Sequence, residues 1–139
     1  MTLHLRCAGT SLVLDLPDDR FPVVRHWGPD LGEVDGDDLA DAARAGATSP
    51  GANTAWITND LPILPLAHLG WSARPAVALS RTDGTAFSPH PAVFTHEQSS
   101  EDTPAGTAHV VRSAGADPVH RLTLGTEVRL EPAGLVRVR

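Results

Sequence analysis

Residues 2–16 read Thr2-Leu3-His4-Leu5-Arg6-Cys7-Ala8-Gly9-Thr10-Ser11-Leu12-Val13-Leu14-Asp15-Leu16, and this stretch decides the fold class. Apolar and polar side chains alternate on both sides of Ala8-Gly9-Thr10, a sequence suited to a turn. A period of two is typical of antiparallel strands with one face buried and the other in water. The stretch therefore predicts a hairpin whose leucines share one apolar face, with Cys7 as a small buried filler.

Similar alternation returns along the chain between Gly, Pro and Asp residues. The predicted further strands are 22–27, 77–81, 85–87, 89–94, 108–113, 119–124, 127–130 and 135–139. Thr82-Asp83-Gly84 predicts a hairpin turn, and the charged segment 97–106 is interpreted as an exposed connection. Strand starts spaced by about eight to twelve residues are typical of sandwiches. The fold class predicted is mainly β, an antiparallel β-sandwich.

Two segments depart from this alternation. Residues 37–46 predict one short helix, with Asp37 as its cap and Gly46 at its end. Residues 56–76 are apolar but interrupted by Pro62, Pro65 and Pro75. An apolar, irregular segment of this length packs on the fold or lines a site, so we expect function there.

Composition excludes several classes of function. The formal net charge is −6, with 11 Arg and no Lys, which argues against nucleic-acid binding along a phosphate track. No window approaches the length of a membrane span, and the N-terminus does not resemble a signal peptide. The single cysteine excludes an intrachain disulfide. These observations predict a cytoplasmic protein without membrane or nucleic-acid partners.

No catalytic constellation is evident in the sequence. The 7 His lack the paired spacing of zinc ligands, and no Gly-x-Ser-x-Gly elbow or phosphate-binding glycine loop is present. The acidic pairs 18–19, 37–38 and 101–102 are adjacent in sequence and cannot face each other across one sugar. We therefore predict no catalytic residue, no metal ligand and no cofactor in this segment.

Tryptophan is the most informative side chain for binding. The chain has 3 Trp, and Trp27 and Trp71 both lie beside Gly and Pro, where a flat indole can sit near the surface. Such an indole can stack on a ligand ring, although most tryptophans are largely buried and serve as core anchors. The sequence leaves both interpretations open.

Five segments in order resemble the N-terminal region of bacterial glycoside hydrolase family 36, the α-galactosidases. They are Leu12-Val13-Leu14-Asp15-Leu16, His26-Trp27-Gly28-Pro29-Asp30-Leu31-Gly32, Leu61-Pro62-Ile63-Leu64-Pro65, Gly70-Trp71-Ser72-Ala73-Arg74-Pro75-Ala76 and Leu130-Glu131-Pro132-Ala133-Gly134-Leu135-Val136-Arg137-Val138. The resemblance spans nearly the whole chain and rests on the order and spacing of these segments.

The resemblance implies a fold and a function. Residues 1–139 would be the N-terminal part of a β-supersandwich, with the catalytic (β/α)₈ barrel and the C-terminal β domain absent from this chain. The whole enzyme would hydrolyse terminal α-linked galactose from galacto-oligosaccharides with retention, using two Asp of the barrel. The expected partners are that barrel, an α-galactoside and further copies of the protein in a homo-oligomer.

The resemblance also implies substrate-binding residues. In the family, a loop of pattern Gly-x-Gly-Asp-x-Arg-x-Pro-Ala reaches toward the sugar pocket, and the matching stretch here runs from Gly70 to Ala76. This stretch keeps the Arg as Arg74 but lacks the Asp. We therefore expect Trp71 to supply a stacking contact and Arg74 either to bind sugar or to shape the loop through a salt bridge.

Two alternatives of other classes stay open. One is a free-standing carbohydrate-binding β-sandwich that uses Trp27 or Trp71 as a platform. The other is a purely structural or oligomerisation domain, since sandwiches can present large faces to neighbouring subunits. The 139-residue segment by itself is not expected to be catalytic in any of these cases.

Overall fold

The computed structural model describes residues 1–45, 62–69, 74–85 and 88–139, and these residues form a mainly β structure. Its strands are β1 Thr2–Cys7, β2 Thr10–Asp15, β3 Val23–Pro29, β4 Val93–Thr103, β5 Gly106–Asp117, β6 Leu122–Leu130 and β7 Val136–Val138. Within these described residues, one α-helix, α1, spans Gly36–Ala45, and a single 3₁₀ turn covers Ala67–Leu69. The predicted antiparallel β fold with one short helix is confirmed.

The strands form two antiparallel sheets. The first has the order β1-β2-β3 and the second β4-β5-β6-β7. The predicted N-terminal hairpin is confirmed, because Leu5 pairs with Leu12 and Leu3 with Leu14. Its turn places Ala8 at φ 47° and Gly9 at φ 75°, a left-handed conformation that Gly adopts without strain.

The core lies where the inner faces of the two sheets meet. One buried cluster joins leucines of β1 and β2 to residues of β5 and β6: Leu5, Leu12, Leu14, Leu16, Val111, Val128 and Leu130. Cys7 is partly buried against this cluster, and its thiol donates to the Pro132 carbonyl at 3.2 Å. Period-two alternation thus delivers the apolar face on which the sheets meet, as the sequence predicts, although Val13 and Val110 on the opposite faces are also buried.

A polar contact also joins the two sheets. His96 on β4 donates from Nε2 to the Pro17 carbonyl, just after β2, at 2.8 Å. Its Nδ1 lies 2.8 Å from the hydroxyl of Ser113 on β5. The imidazole therefore fixes the lateral position of one sheet against the other, which apolar packing alone does not do.

Helix α1 begins one residue earlier than predicted. Asp35 caps it, since its carboxylate accepts the Asp37 backbone N–H at 2.9 Å and its carbonyl accepts that of Leu39 at 2.9 Å. The assignment of Asp37 as the cap is therefore wrong; it lies in the first turn, near the positive end of the helix. The predicted stop at Gly46 lies outside the described residues.

Three strand predictions are wrong for a common reason. Residues 97–106 are not a connection, because β4 runs through them to Thr103 with side chains that are mostly polar on both faces. The segment 115–117, which lies between the predicted strands 108–113 and 119–124, continues β5. Gly125-Thr126, which lies between the predicted strands 119–124 and 127–130, continues β6. Small and polar residues in these strands pair normally through their backbones. Their composition resembles that of loops, so it did not indicate strands.

The predicted hairpin around Asp83-Gly84 is only half correct. The turn exists, since the Arg81 N–H donates to the Thr85 carbonyl at 2.8 Å. No strand flanks it in the described residues 74–85. The strand predicted from residue 89 begins only at Val93.

The irregular segment predicted at 56–76 is confirmed in its described parts. Pro62 bridges to Val23 at the start of β3, and Leu66 is fully buried. The Ala76 N–H donates to the Pro65 carbonyl at 2.9 Å, which ties the two described parts together. The segment packs on the first sheet as an apolar, proline-rich stretch should.

A glycine in β5 makes room for the main aromatic contact. Phe21 and Phe94 pack edge to face with ring centroids 5.2 Å apart. A Cβ at Gly115 would lie 2.7 Å from the Phe94 ring and 3.1 Å from the Phe21 ring. We predict that Gly115→Ala lowers the free energy of unfolding by about 1–3 kcal/mol, because the added methyl overpacks this site.

The control for this prediction is Gly125→Ala on the neighbouring strand. There the nearest atom to a new Cβ is the Ser113 carbonyl oxygen at 3.8 Å, an ordinary contact. Urea unfolding of both variants measures the difference. Equal stabilities for Gly115→Ala and Gly125→Ala would show that the aromatic pair does not depend on the glycine.

Candidate functional site

Trp27 lies on β3, the last strand in the order of the first sheet, and its indole is exposed. It pairs with Leu12 across β2 and β3, so its side chain is on the inner face of the sheet with the core leucines. The indole nevertheless stays 64% exposed, and Val24 on the same strand 42%. Apart from the bridge from Pro62 to Val23, β3 has only β2 as a neighbour among the described residues. The core-anchor interpretation of Trp27 is therefore wrong, and the indole is available for contact.

A carboxylate network fixes the backbone that carries Trp27. Asp30 accepts two hydrogen bonds from Arg6, at 2.7 Å and 2.8 Å. It also accepts the Ser11 hydroxyl at 3.0 Å and the Gly32 N–H at 3.1 Å. The Arg6 guanidinium, aided by these other donors, holds the pKa of Asp30 well below its usual range. The end of β3 is thereby held rigidly against β1 and β2.

The same network brings a serine, a histidine and an aspartate together, but not as a nucleophilic triad. Ser11 is fully buried and donates its proton to the charged Asp30 carboxylate. His4 Nε2, 2.8 Å from the Ser11 hydroxyl, must then donate rather than accept. Burial lowers the pKa of His4. His4 therefore cannot act as a base toward Ser11, and the arrangement is structural.

A second cluster lies at the far end of β5. Asp117 is buried and accepts the backbone N–H groups of His90 at 2.8 Å and His120 at 3.0 Å. Its carboxylate also lies 2.7 Å from Nδ1 of His120. These bonds, the backbone donation from His120 first, hold the pKa of Asp117 well below its usual range. The carboxylate stays charged and orients the His120 ring.

Two further imidazoles stand beside this cluster. The rings of His68 and His90 stack with centroids 4.3 Å apart, and His68 donates from Nδ1 to the Pro89 carbonyl at 2.9 Å. Burial is the main cause that lowers the pKa of His68. The stack thus contains a neutral imidazole near neutral pH and joins the irregular segment to the residues that precede β4.

Of the two residues expected to bind substrate, Trp71 and Arg74, the structure describes only Arg74. Trp71 lies outside the described residues. Arg74 is exposed, and its loop is anchored by the bond from Ala76 to Pro65. Arg74 takes part in interactions of its own, which suits either of its predicted roles. A role for Trp71 and Arg74 in sugar binding stays a prediction.

Sequence reasoning missed the cluster around Asp117. Its members come from three separate segments, which period and composition do not connect. One local signal was available, because Asp117 and His120 are three residues apart, the spacing at which a capping Asp side chain accepts a backbone N–H. That signal predicts the turn but not the histidines that gather around it.

The described residues contain no group of three or more His, Cys, Asp or Glu arranged to hold a metal ion. Among the described helices, none is long and apolar enough to span a membrane. Comparison with protein-family models, curated proteins and solved structures finds no match.

The depressed pKa values of Asp30 and Asp117 predict acid sensitivity. Each carboxyl binds its proton more weakly in the folded chain, so its stabilisation is complete above the ordinary Asp pKa of 3.8 and is lost as the pH falls below it. We predict that Asp117→Asn lowers Tm at pH 7 and reduces the loss of Tm in acid. Thermal unfolding across pH measures both effects.

The control for this prediction is Asp18→Asn, which removes the same charge at an exposed turn. It should leave both Tm at pH 7 and the acid profile close to those of the unchanged protein. An Asp117→Asn profile that coincides with the Asp18→Asn profile would contradict the role given to the Asp117 carboxylate.

Proposed function

We propose that this chain is the non-catalytic N-terminal part of the β-supersandwich of a cytoplasmic α-galactosidase, and that Trp27 is a platform for sugar. The observation that carries the proposal is the exposed indole of Trp27 within one of the five segments that resemble the family. The mainly β architecture agrees with the domain that the resemblance implies. The barrel of the whole enzyme would supply the catalytic acids.

The physical case for a sugar platform rests on rigidity and exposure. The apolar face of a pyranose ring packs on a flat indole, and Trp ranks high among residues that contribute strongly to interfaces. Asp30 and Arg6 fix the end of β3, so little backbone freedom is lost when a ligand packs on Trp27. A preordered surface binds more tightly than one that must be ordered on binding.

The whole gene product provides the test of the enzymatic part. We expect it to release galactose from melibiose and raffinose, with the α-anomer appearing first in proton NMR spectra because the family retains configuration. Absence of galactose release would exclude the α-galactosidase and leave the free-standing sugar-binding domain as the alternative.

Sugar binding at Trp27 is tested by fluorescence. We predict that methyl α-galactoside changes the tryptophan emission, and that Trp27→Ala raises the Kd at least about tenfold, equivalent to about 1.4 kcal/mol. The Trp56→Phe/Trp71→Phe double variant keeps Trp27 as the one fluorophore of the 3 Trp and should retain the signal. The control Val119→Ala, at a residue 83% exposed, should not alter binding.

The contrary result is an emission spectrum of the double variant that stays constant up to about 10 mM sugar. Such a result corresponds to binding weaker than about 3 kcal/mol, and it would exclude Trp27 as a sugar platform. The Val24–Trp27 surface would then favour the oligomerisation domain, and sizing of the unchanged protein and Trp27→Ala would detect a change in association.

The loop that carries Trp71 and Arg74 has its own prediction. In the whole enzyme, Trp71→Ala should lower kcat/KM about ten- to hundredfold if the indole stacks on substrate, which is about 1–3 kcal/mol of transition-state stabilisation. Circular dichroism should show an intact fold. A loss of folded protein in place of a loss of kcat/KM would assign Trp71 to the core.

A further inference from the structure

A polar pocket of about 300 Å³ lies between two turns. One is the turn at residues 81–85, and the other is the β5–β6 turn at residues 118–121. The lining residues are Arg81, Asp83, Thr85, Val119, His120 and Arg121. A guanidinium N–H of Arg81 donates to the His120 carbonyl, so the two turns are held together and the pocket is already formed.

Arg81 and Arg121 differ from most arginines of the chain. Arg6, Arg112 and Arg129, for example, each pair with a carboxylate. Within the described part of the chain, neither Arg81 nor Arg121 forms an ion pair. In a protein of net charge −6, two such guanidinium groups on one pocket constitute a local excess of positive charge.

One carboxylate in the pocket reduces this excess without cancelling it. Asp83 accepts the backbone N–H of Thr85 at 3.0 Å and its hydroxyl at 2.7 Å. These two bonds from Thr85 are the main causes that lower the pKa of Asp83. The carboxylate therefore shapes the turn, and the N–H donors of Arg81 that do not bond to His120 are left for a ligand.

His120 adds a third group with a fixed orientation. Its Nδ1 is bound to the buried carboxylate of Asp117 at 2.7 Å. Its Nε2 makes no hydrogen bond with any described residue, and the ring lines the pocket. The Asp117 carboxylate thus holds the ring in place, and Nε2 is left for a ligand.

The backbone of Arg121 supplies an independent observation. Its φ is 53°, a left-handed conformation that Gly or Asn adopts more readily than Arg. Residues held in such conformations cluster at ligand clamps and active sites. A glycine would suit this turn better, yet the chain has an arginine there, and its side chain lines the pocket.

We infer that this pocket binds the oxyanion of a small ligand, a phosphate or a carboxylate, between Arg81, Arg121 and His120. Guanidinium groups bind both anions through paired N–H donors. The inference does not depend on sugar binding at Trp27, since it involves other residues and another ligand chemistry.

The test uses nitrogen-edited NMR of the His120 imidazole during titration with inorganic phosphate, and separately with acetate, at constant ionic strength. We expect a saturable shift of the His120 Nε2 resonance, with His109 unaffected as an internal control. The tighter of the two anions identifies the ligand as a phosphate or a carboxylate. Absence of a saturable shift with both anions overturns the inference.

The deciding variant is Arg121→Gly, because it removes the guanidinium and also suits the positive φ. We expect a Tm equal to or above that of the unchanged protein, together with a Kd for the preferred anion raised at least tenfold. Arg44→Gln is the matched control, since it removes one positive charge from the exposed helix α1. Equal Kd values for Arg121→Gly and Arg44→Gln would mean that the anion responds only to net charge, and would overturn the inference.

Discussion

Apolar packing between the two sheets is the constraint on which the other features depend. The buried leucines of β1 and β2 pack against Val111, Val128 and Leu130 of the second sheet. Burial of each such side chain stabilises the fold by about 1.5–3 kcal/mol. Because alternation sends every second residue to the opposite face, the same packing directs Arg6 and Ser11 away from the core. The polar network around Asp30 can form only on that outer face.

Two aspartates perform similar structural tasks at separate places. Asp30 collects donors at the end of β3, and Asp117 collects them at the end of β5. Each joins a strand end to residues that are distant in sequence. The proposed sites lie beside these two anchors, Trp27 near Asp30 and His120 against Asp117. Rigid strand ends give a small domain fixed positions for binding groups.

Local signals predicted the secondary structure where side chains alternate in polarity and failed where they do not. The hairpin of β1 and β2 follows from its leucines, and the turn at Asp83-Gly84 follows from its residues. Strand β4 escaped prediction beyond Phe94, because its exposed and half-buried positions carry polar side chains on both faces. Gly115 and Gly125 lie outside the predicted strands, yet both are inside strands of the structure. Gly115 is there because an aromatic pair from two segments occupies the space of its missing side chain.

The sequence by itself determined an antiparallel β protein with one short helix, because a period of two and turn-forming residues act over a few neighbouring positions. It also marked Trp27 as a binding candidate without deciding whether the indole is buried. The exposure of the Trp27 indole was decided by the tertiary structure. The tertiary structure alone also brings Arg81 into contact with His120, which is 39 residues away in sequence. Contacts of that kind depend on how the sheets stack and where the loops cross them, and local polarity patterns carry no information about either.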